Sequence, residues 1–152
     1  MRAALDAGLP DGLDVLRVVE AQPGALADRL EASEWLLTLP GVTRAQVEQP
    51  LAAFVEALSV PVERLTKQGP RTLDAREPVV SLVLDAGDDP AAVGPDDVAV
   101  LRLVVRHVTP TVRPTEVLVA LTSLGLPEGD PPQAVRLRQG PLVDGLVTDP
   151  LA

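Results

Sequence analysis

The sequence contains no cysteine, tyrosine, isoleucine or asparagine, and only one histidine, one lysine, one tryptophan and one phenylalanine. Without cysteine there is no disulfide, no iron–sulfur ligation and no thiolate nucleophile. His107 has no second histidine to share a zinc site or a nucleophile–base pair. It reads as a structural or strand-end residue. No run approaches the ~18 consecutive apolar residues of a spanning helix, and the opening residues do not read as a charged-then-apolar leader. No glycine-rich phosphate cradle follows a strand. These absences lead to the expectation of a soluble, cytoplasmic domain with no cofactor, no metal and no membrane contact.

What is present is apolar and acidic. The 152 residues are 46% hydrophobic and 23% charged, and 13 Lys+Arg against 22 Asp+Glu give a net charge of −9. That composition is too apolar for a disordered chain, and the length suits one domain with a real core. The core must be built from Leu, Val and Ala, which bury less area per side chain than rings do, so modest stability is expected.

Along the chain, residues 1–9 read as the last turns of a helix, stopped at Gly8 before Pro10. Leu13 to Ala21, rich in Val and Leu, reads as a strand, and residues 22–33 as a connection. From Glu34 to Leu39, Trp35, Leu37 and Leu39 alternate with polar neighbours, which is a strand pattern. Thr43 with Gln46 forms a capping-box signature. Behind it Val47, Leu51, Phe54, Val55 and Leu58 give one apolar stripe, read as a single helix kinked at Pro50 rather than one starting there. Val60–Thr66 and Arg71–Arg76 flank Lys67-Gln68-Gly69-Pro70 as a hairpin, and Val79–Leu84 is a further strand. Asp85 to Asp97 reads as a solvated acidic loop whose spacing matches no calcium motif. Ala99–Val108 alternates, Pro114 opens a helix that Gly125 stops, and Ala134–Arg138 alternates again. The order predicts an α+β fold: an antiparallel sheet of five to six strands with two main helices on one face. The expected division is a helix remnant at 1–12, the domain at 13–138 and a flexible tail at 139–152.

The charges are unevenly placed. Residues 60–138 hold nine basic and eleven acidic residues. Most of those acids lie in expected loops, whereas Arg102, Arg106, Arg136 and Arg138 fall on one expected open sheet face. Such a face can grip phosphates, or it can be a solvated surface on which arginine stems cover apolar area. The densest feature is the hairpin, which gathers the sole lysine with Arg71, Asp74 and Arg76. It reads either as an anion-binding tip, with Lys67 and Arg71 as donors and Asp74 orienting Arg76 through a bidentate pair, or as a polar turn.

The run Pro61-Val62-Glu63-Arg64, Thr66-Lys67, Gly69 and Asp74-Ala75-Arg76 resembles a bacterial family of radical-SAM-linked proteins whose shared domain has no known function. The strand around Leu101–Val105 and the helix start Arg113-Pro114-Thr115-Glu116-Val117-Leu118 extend the resemblance. So does the opening Ala3-Ala4-Leu5 to Gly12-Leu13-Asp14-Val15-Leu16, which is similar to the middle of that domain. Family members carry an N-terminal half with a Ser-His-Leu-Asp run and an Asn-Pro-His/Arg-Pro-Lys segment, both missing here. The chain is therefore expected to be the C-terminal half of such a domain. Ala75 and Pro50 also depart from the family pattern.

The resemblance implies an accessory role beside a radical S-adenosylmethionine enzyme or an E/G-type ribonuclease, with RNA or another anionic substrate as ligand. The chain lacks the cysteines of the radical enzyme itself, so it is expected to be non-catalytic alone. Lys67, Arg71 and Arg76 would contact phosphates, with Asp74 orienting and Arg102 and Arg106 helping. The alternative is an interaction half-domain that docks or self-associates through an open sheet edge.

Overall fold

The computed structural model describes residues 1–85 and 97–152. In chain order the elements are α1 (Arg2–Asp6), a 3₁₀ turn (Leu26–Arg29), β1 (Ala32–Pro40), α2 (Arg44–Glu56), β2 (Pro61–Thr66) and β3 (Gly69–Asp74). There follow β4 (Val79–Leu84), β5 (Val98–Arg106), α3 (Pro114–Ser123), β6 (Gln133–Gly140), β7 (Leu142–Val143) and β8 (Leu146–Val147).

Alternation draws the central strands. On β1, Leu37 and Leu39 are buried on one face, and on β5 Ala99, Leu101, Leu103 and Val105 match them. The two pair antiparallel from Ala32 opposite Arg106 to Pro40 opposite Val98. β4 joins the outer side of β5 and β6 that of β1, giving an antiparallel sheet in the order β4-β5-β1-β6.

Both longer helices and the β2–β3 hairpin cover one face of this sheet. Val47 and Phe54 of α2, Val117, Ala120 and Leu121 of α3, and Val62 and Leu73 of the hairpin share one core with the sheet leucines. The other face is covered at one end by β7 and β8, where Val147 packs with Ala32 and Val104. The class is α+β, as the strand and helix order implies. The central sheet has four strands because β2 and β3 bond only to each other.

The capping box forms as read: Thr43 Oγ1 accepts from Gln46 N–H and Gln46 Oε1 accepts from Thr43 N–H. α2 is one helix running through Pro50, and Pro50 joins Val47 and Phe54 in the buried stripe. Leu58 does not belong to that stripe. The helix ends at Glu56, and Leu58 lies beyond it at 98% exposure.

Leu13–Ala21 forms no strand, because β propensity without a ladder partner does not make one. Side-chain bonds hold this segment instead: Arg2 Nε donates to the Val15 carbonyl at 2.7 Å, Val15 N–H donates to Asp6 Oδ1 at 2.7 Å, and the Arg17 guanidinium donates to Asp149 and to the Leu151 carbonyl. The tail expected to be loose carries β7 and β8, and Gly140 lets it approach, since a Cβ there would collide with the Thr148 carbonyl oxygen. Most of the acidic loop, residues 86–96 with Asp88, Asp89 and Asp96, lies outside the described residues. Among the described residues no group of three potential metal ligands occurs, and no helix is long and apolar enough to cross a membrane.

Candidate functional site

The β2–β3 register closes at Thr66 opposite Gly69, leaving Lys67-Gln68 as a two-residue turn. Gly69 takes φ +107°, a conformation that costs glycine little. Thr66 Oγ1 locks the turn, donating to the Gly69 carbonyl at 2.7 Å and accepting from Gln68 N–H at 3.2 Å. Lys67 and Arg71 are exposed, and among the described residues neither has a carboxylate within 4.0 Å.

Arg64, Asp74 and Arg76 make internal bonds instead. Arg64, opposite Arg71, donates through Nε to Glu116 Oε1 at 2.8 Å and through Nη2 to the Thr111 carbonyl at 2.6 Å. Glu116 Oε2 accepts from Arg113 N–H at 2.6 Å, closing the first turn of α3. Two of the stretches that carry the family resemblance, the hairpin and the start of α3, are thus joined by one ion pair.

The expected bidentate Asp74–Arg76 pair is absent. Asp74 Oδ1 accepts backbone N–H from Val60 at 2.9 Å and from Arg76 at 2.8 Å, which turns the carboxylate toward the main chain. Burial pushes the Asp74 carboxyl up, but these two donors, the Ser59 hydroxyl and Glu77 N–H together bring it below its usual value. The Arg76 guanidinium instead lies 5.7 Å from the Phe54 ring centroid. It donates to the Val79 carbonyl and to that of Val55 in the last turn of α2, where a cation is favoured.

The sheet arginines divide between two faces. Arg102 donates to Glu34 Oε1 at 2.8 Å and meets Asp85 at 3.3 Å, while Arg138 Nε donates to Glu34 Oε2 at 2.9 Å. The Glu34 bond is the main reason that the Arg102 guanidinium binds its proton more tightly than usual. Arg106 is exposed on the same face as Arg102. The hairpin covers the opposite face, so Arg102 and Arg106 are not brought together with Lys67 and Arg71. Nor do Arg136 and Arg138 share a face. A bulge at Leu137 sets Arg138 opposite Glu34 and Arg136 opposite Trp35, and the Arg136 guanidinium lies 5.6 Å from the Trp35 ring.

That bulge builds a site not anticipated from the sequence. A cavity of about 480 Å³ opens between β1, β6 and the start of α3, lined by Ser33, Trp35, His107, Arg113, Thr115 and Arg136 among others. Among the described residues no acidic residue lines it, and neither the Arg113 nor the Arg136 guanidinium has a carboxylate within 4.0 Å. At its wall Ser33 Oγ lies 2.8 Å from His107 Nε2, and His107 Nδ1 lies 2.6 Å from the Leu30 carbonyl. Nδ1 must donate to that carbonyl, so Nε2 accepts from the Ser33 hydroxyl in the neutral ring. The two residues are 74 positions apart, and no local spacing signals their pairing. Ser33 is only 2% exposed. Together with the His107 N–H bond to the Glu31 carbonyl, the pair ties the end of β5 to the start of β1.

None of the curated proteins and none of the solved structures matches the chain. A family model described as an uncharacterized protein conserved in bacteria, DUF2344, matches residues 1–114. That span contains the whole hairpin and both central strands and ends at the proline that opens α3. Three-quarters of the sequence being covered, the chain belongs to this uncharacterized bacterial family.

Proposed function

We propose that this chain is an accessory binding domain of a radical-SAM-linked assembly, non-catalytic alone, that presents RNA or another anionic substrate through its hairpin. The observation that carries the reading is the pair of uncompensated cations at the tip. Lys67 sits in the two-residue turn and Arg71 beside it on β3, both without an acidic partner among the described residues, whereas Arg64, Arg102 and Arg138 are paired with Glu116, Glu34 and Asp85. Cations without internal partners on a firm support are what a phosphate backbone requires. By family resemblance the partner is a radical S-adenosylmethionine enzyme or an E/G-type ribonuclease. The test is anisotropy of a labelled single-stranded RNA oligonucleotide titrated with protein at two salt concentrations. Binding that weakens with salt and drops in Lys67→Ala/Arg71→Ala supports the reading; absent or salt-independent binding sinks it.

A second reading, a protein-interaction domain, has its own observation. Among the described residues β6 pairs on one side only, and its Val135 and Leu137 are 56% and 42% exposed. An edge strand with exposed apolar residues invites another strand. Sedimentation should then show concentration-dependent association that Val135→Lys/Leu137→Lys abolishes. A monomer at all concentrations would count against self-docking.

A further inference from the structure

We infer that the cavity between β1, β6 and the start of α3 binds a nucleoside monophosphate group, its planar base against the Trp35–Arg136 stack and its phosphate between Arg113 and Arg136. This deepens the anionic-substrate reading and rests on it only for the source of the nucleotide.

The chemistry of the walls narrows the ligand. Trp35, Val105, Val112 and Pro114 give the cavity apolar surface, which a bare inorganic anion would leave unused. Two guanidinium groups without carboxylate partners reject a purely apolar ligand, because binding one would strip them of water without replacing it. In a chain of net charge −9, a cavity with two arginines and no acid is a local reversal of sign. The ligand must therefore join a flat ring to an anionic group. The Arg136 guanidinium lies over the Trp35 ring, 5.6 Å from its centroid, and a guanidinium plane accepts a stacked base on its outer side. The hydroxyls of Thr111 and Thr115 at the same rim suit a ribose or a base edge.

The position favours a nucleotide over other aromatic anions. Arg64 reaches from the hairpin to the Thr111 carbonyl at the cavity rim, and Arg71 stands across the hairpin from Arg64. A strand whose end nucleotide fills the cavity can continue along the hairpin toward Lys67. The volume of about 480 Å³ lies in the range of small-ligand sites.

Trp35 is the only tryptophan and the chain has no tyrosine, so intrinsic fluorescence reports on this cavity alone. The experiment titrates the full chain with AMP, adenosine, inorganic phosphate and benzoate, followed by Trp35 emission. AMP should change the emission saturably, with adenosine and phosphate each binding much more weakly. Arg113→Gln and Arg136→Gln should each weaken AMP by about tenfold, the effect of removing one charged hydrogen-bond donor. Lys67→Ala/Arg71→Ala should leave AMP binding unchanged while weakening an oligonucleotide. Phosphate or benzoate binding as well as AMP overturns the assignment, and so does AMP binding that both arginine variants retain. An oligonucleotide that binds through Lys67 and Arg71 with no AMP response overturns the cavity inference and leaves the RNA reading standing. AMP binding with no oligonucleotide binding does the reverse.

Discussion

Glu116 does two jobs at once, accepting from Arg64 on the hairpin and from the Arg113 backbone at the start of α3. Both side chains of the ion pair are mostly shielded, at 21% and 11% exposure, so losing one partner leaves the other charge poorly solvated. Glu116→Gln should cost about 1–3 kcal/mol, read as a lower urea midpoint. In a double-mutant cycle with Arg64→Met the two losses should fall short of additivity, because each removes the same contact. Asp74 makes a prediction about pH. Its carboxyl titrates below the unfolded value of 3.8, so the folded state binds fewer protons there. Its contribution is fully present above that pH and is lost as the pH falls through the lower folded value. Asp74→Asn should therefore be less stable than the parent at pH 7, with the gap closing below about pH 4 in acid titrations followed by circular dichroism. The hairpin composition made the cluster of Lys67, Arg71, Asp74 and Arg76 conspicuous in the sequence. It did not reveal that Asp74 serves backbone N–H groups and Arg76 serves backbone carbonyls, since main-chain partners leave no trace in side-chain spacing.

Among the elements, those with strong periodicity were readable: β1, β5, α3, the hairpin and the capping box of α2. The segment 13–21 misled because its Val and Leu content equals that of a strand while no neighbour offers it a ladder. The face assignment on β6 misled for a different reason. Alternation puts Arg136 and Arg138 on one face, but the extra residue Leu137 in the pairing with β1 sends them to opposite faces. A bulge is set by the partner strand, so a single strand read alone cannot show it. That one residue both neutralises Arg138 against Glu34 and releases Arg136 to the Trp35 cavity. The short hairpin β7–β8 was equally hidden, since two-residue strands carry no periodicity. Its anchor is Gly140, where the chain packs against the Thr148 backbone too closely for a Cβ. Gly140→Ala should push β7–β8 off Ala32 and Val104 and cost about 1–3 kcal/mol, a fall of several degrees in the thermal midpoint.

For the whole molecule, a net charge of −9 taken as one sum argues against any polyanion. Its distribution changes the argument. Screening confines an exposed charge to about 8–10 Å at physiological salt, so a phosphate at the hairpin tip senses Lys67 and Arg71 far more than acids elsewhere on the surface. The remaining negative charge opposes association at long range and should make binding weak and slow at low salt rather than absent. The number of contacts then sets the salt response. Two phosphate contacts at the tip and one in the Trp35 cavity give a slope of log affinity against log salt of about −2.1 on a single strand, shallower than that of a dedicated nucleic-acid protein. Replacing Lys67 and Arg71 by Ala should bring the slope to about −0.7, the share of the one phosphate held in the cavity, which a terminal nucleotide supplies at any strand length. Anisotropy titrations across several salt concentrations, repeated with oligonucleotides of increasing length, measure both quantities together. A parent slope steeper than about −3 would require cations beyond the hairpin tip and the cavity arginines, and Arg106, exposed on the opposite sheet face, would be the next residue to replace.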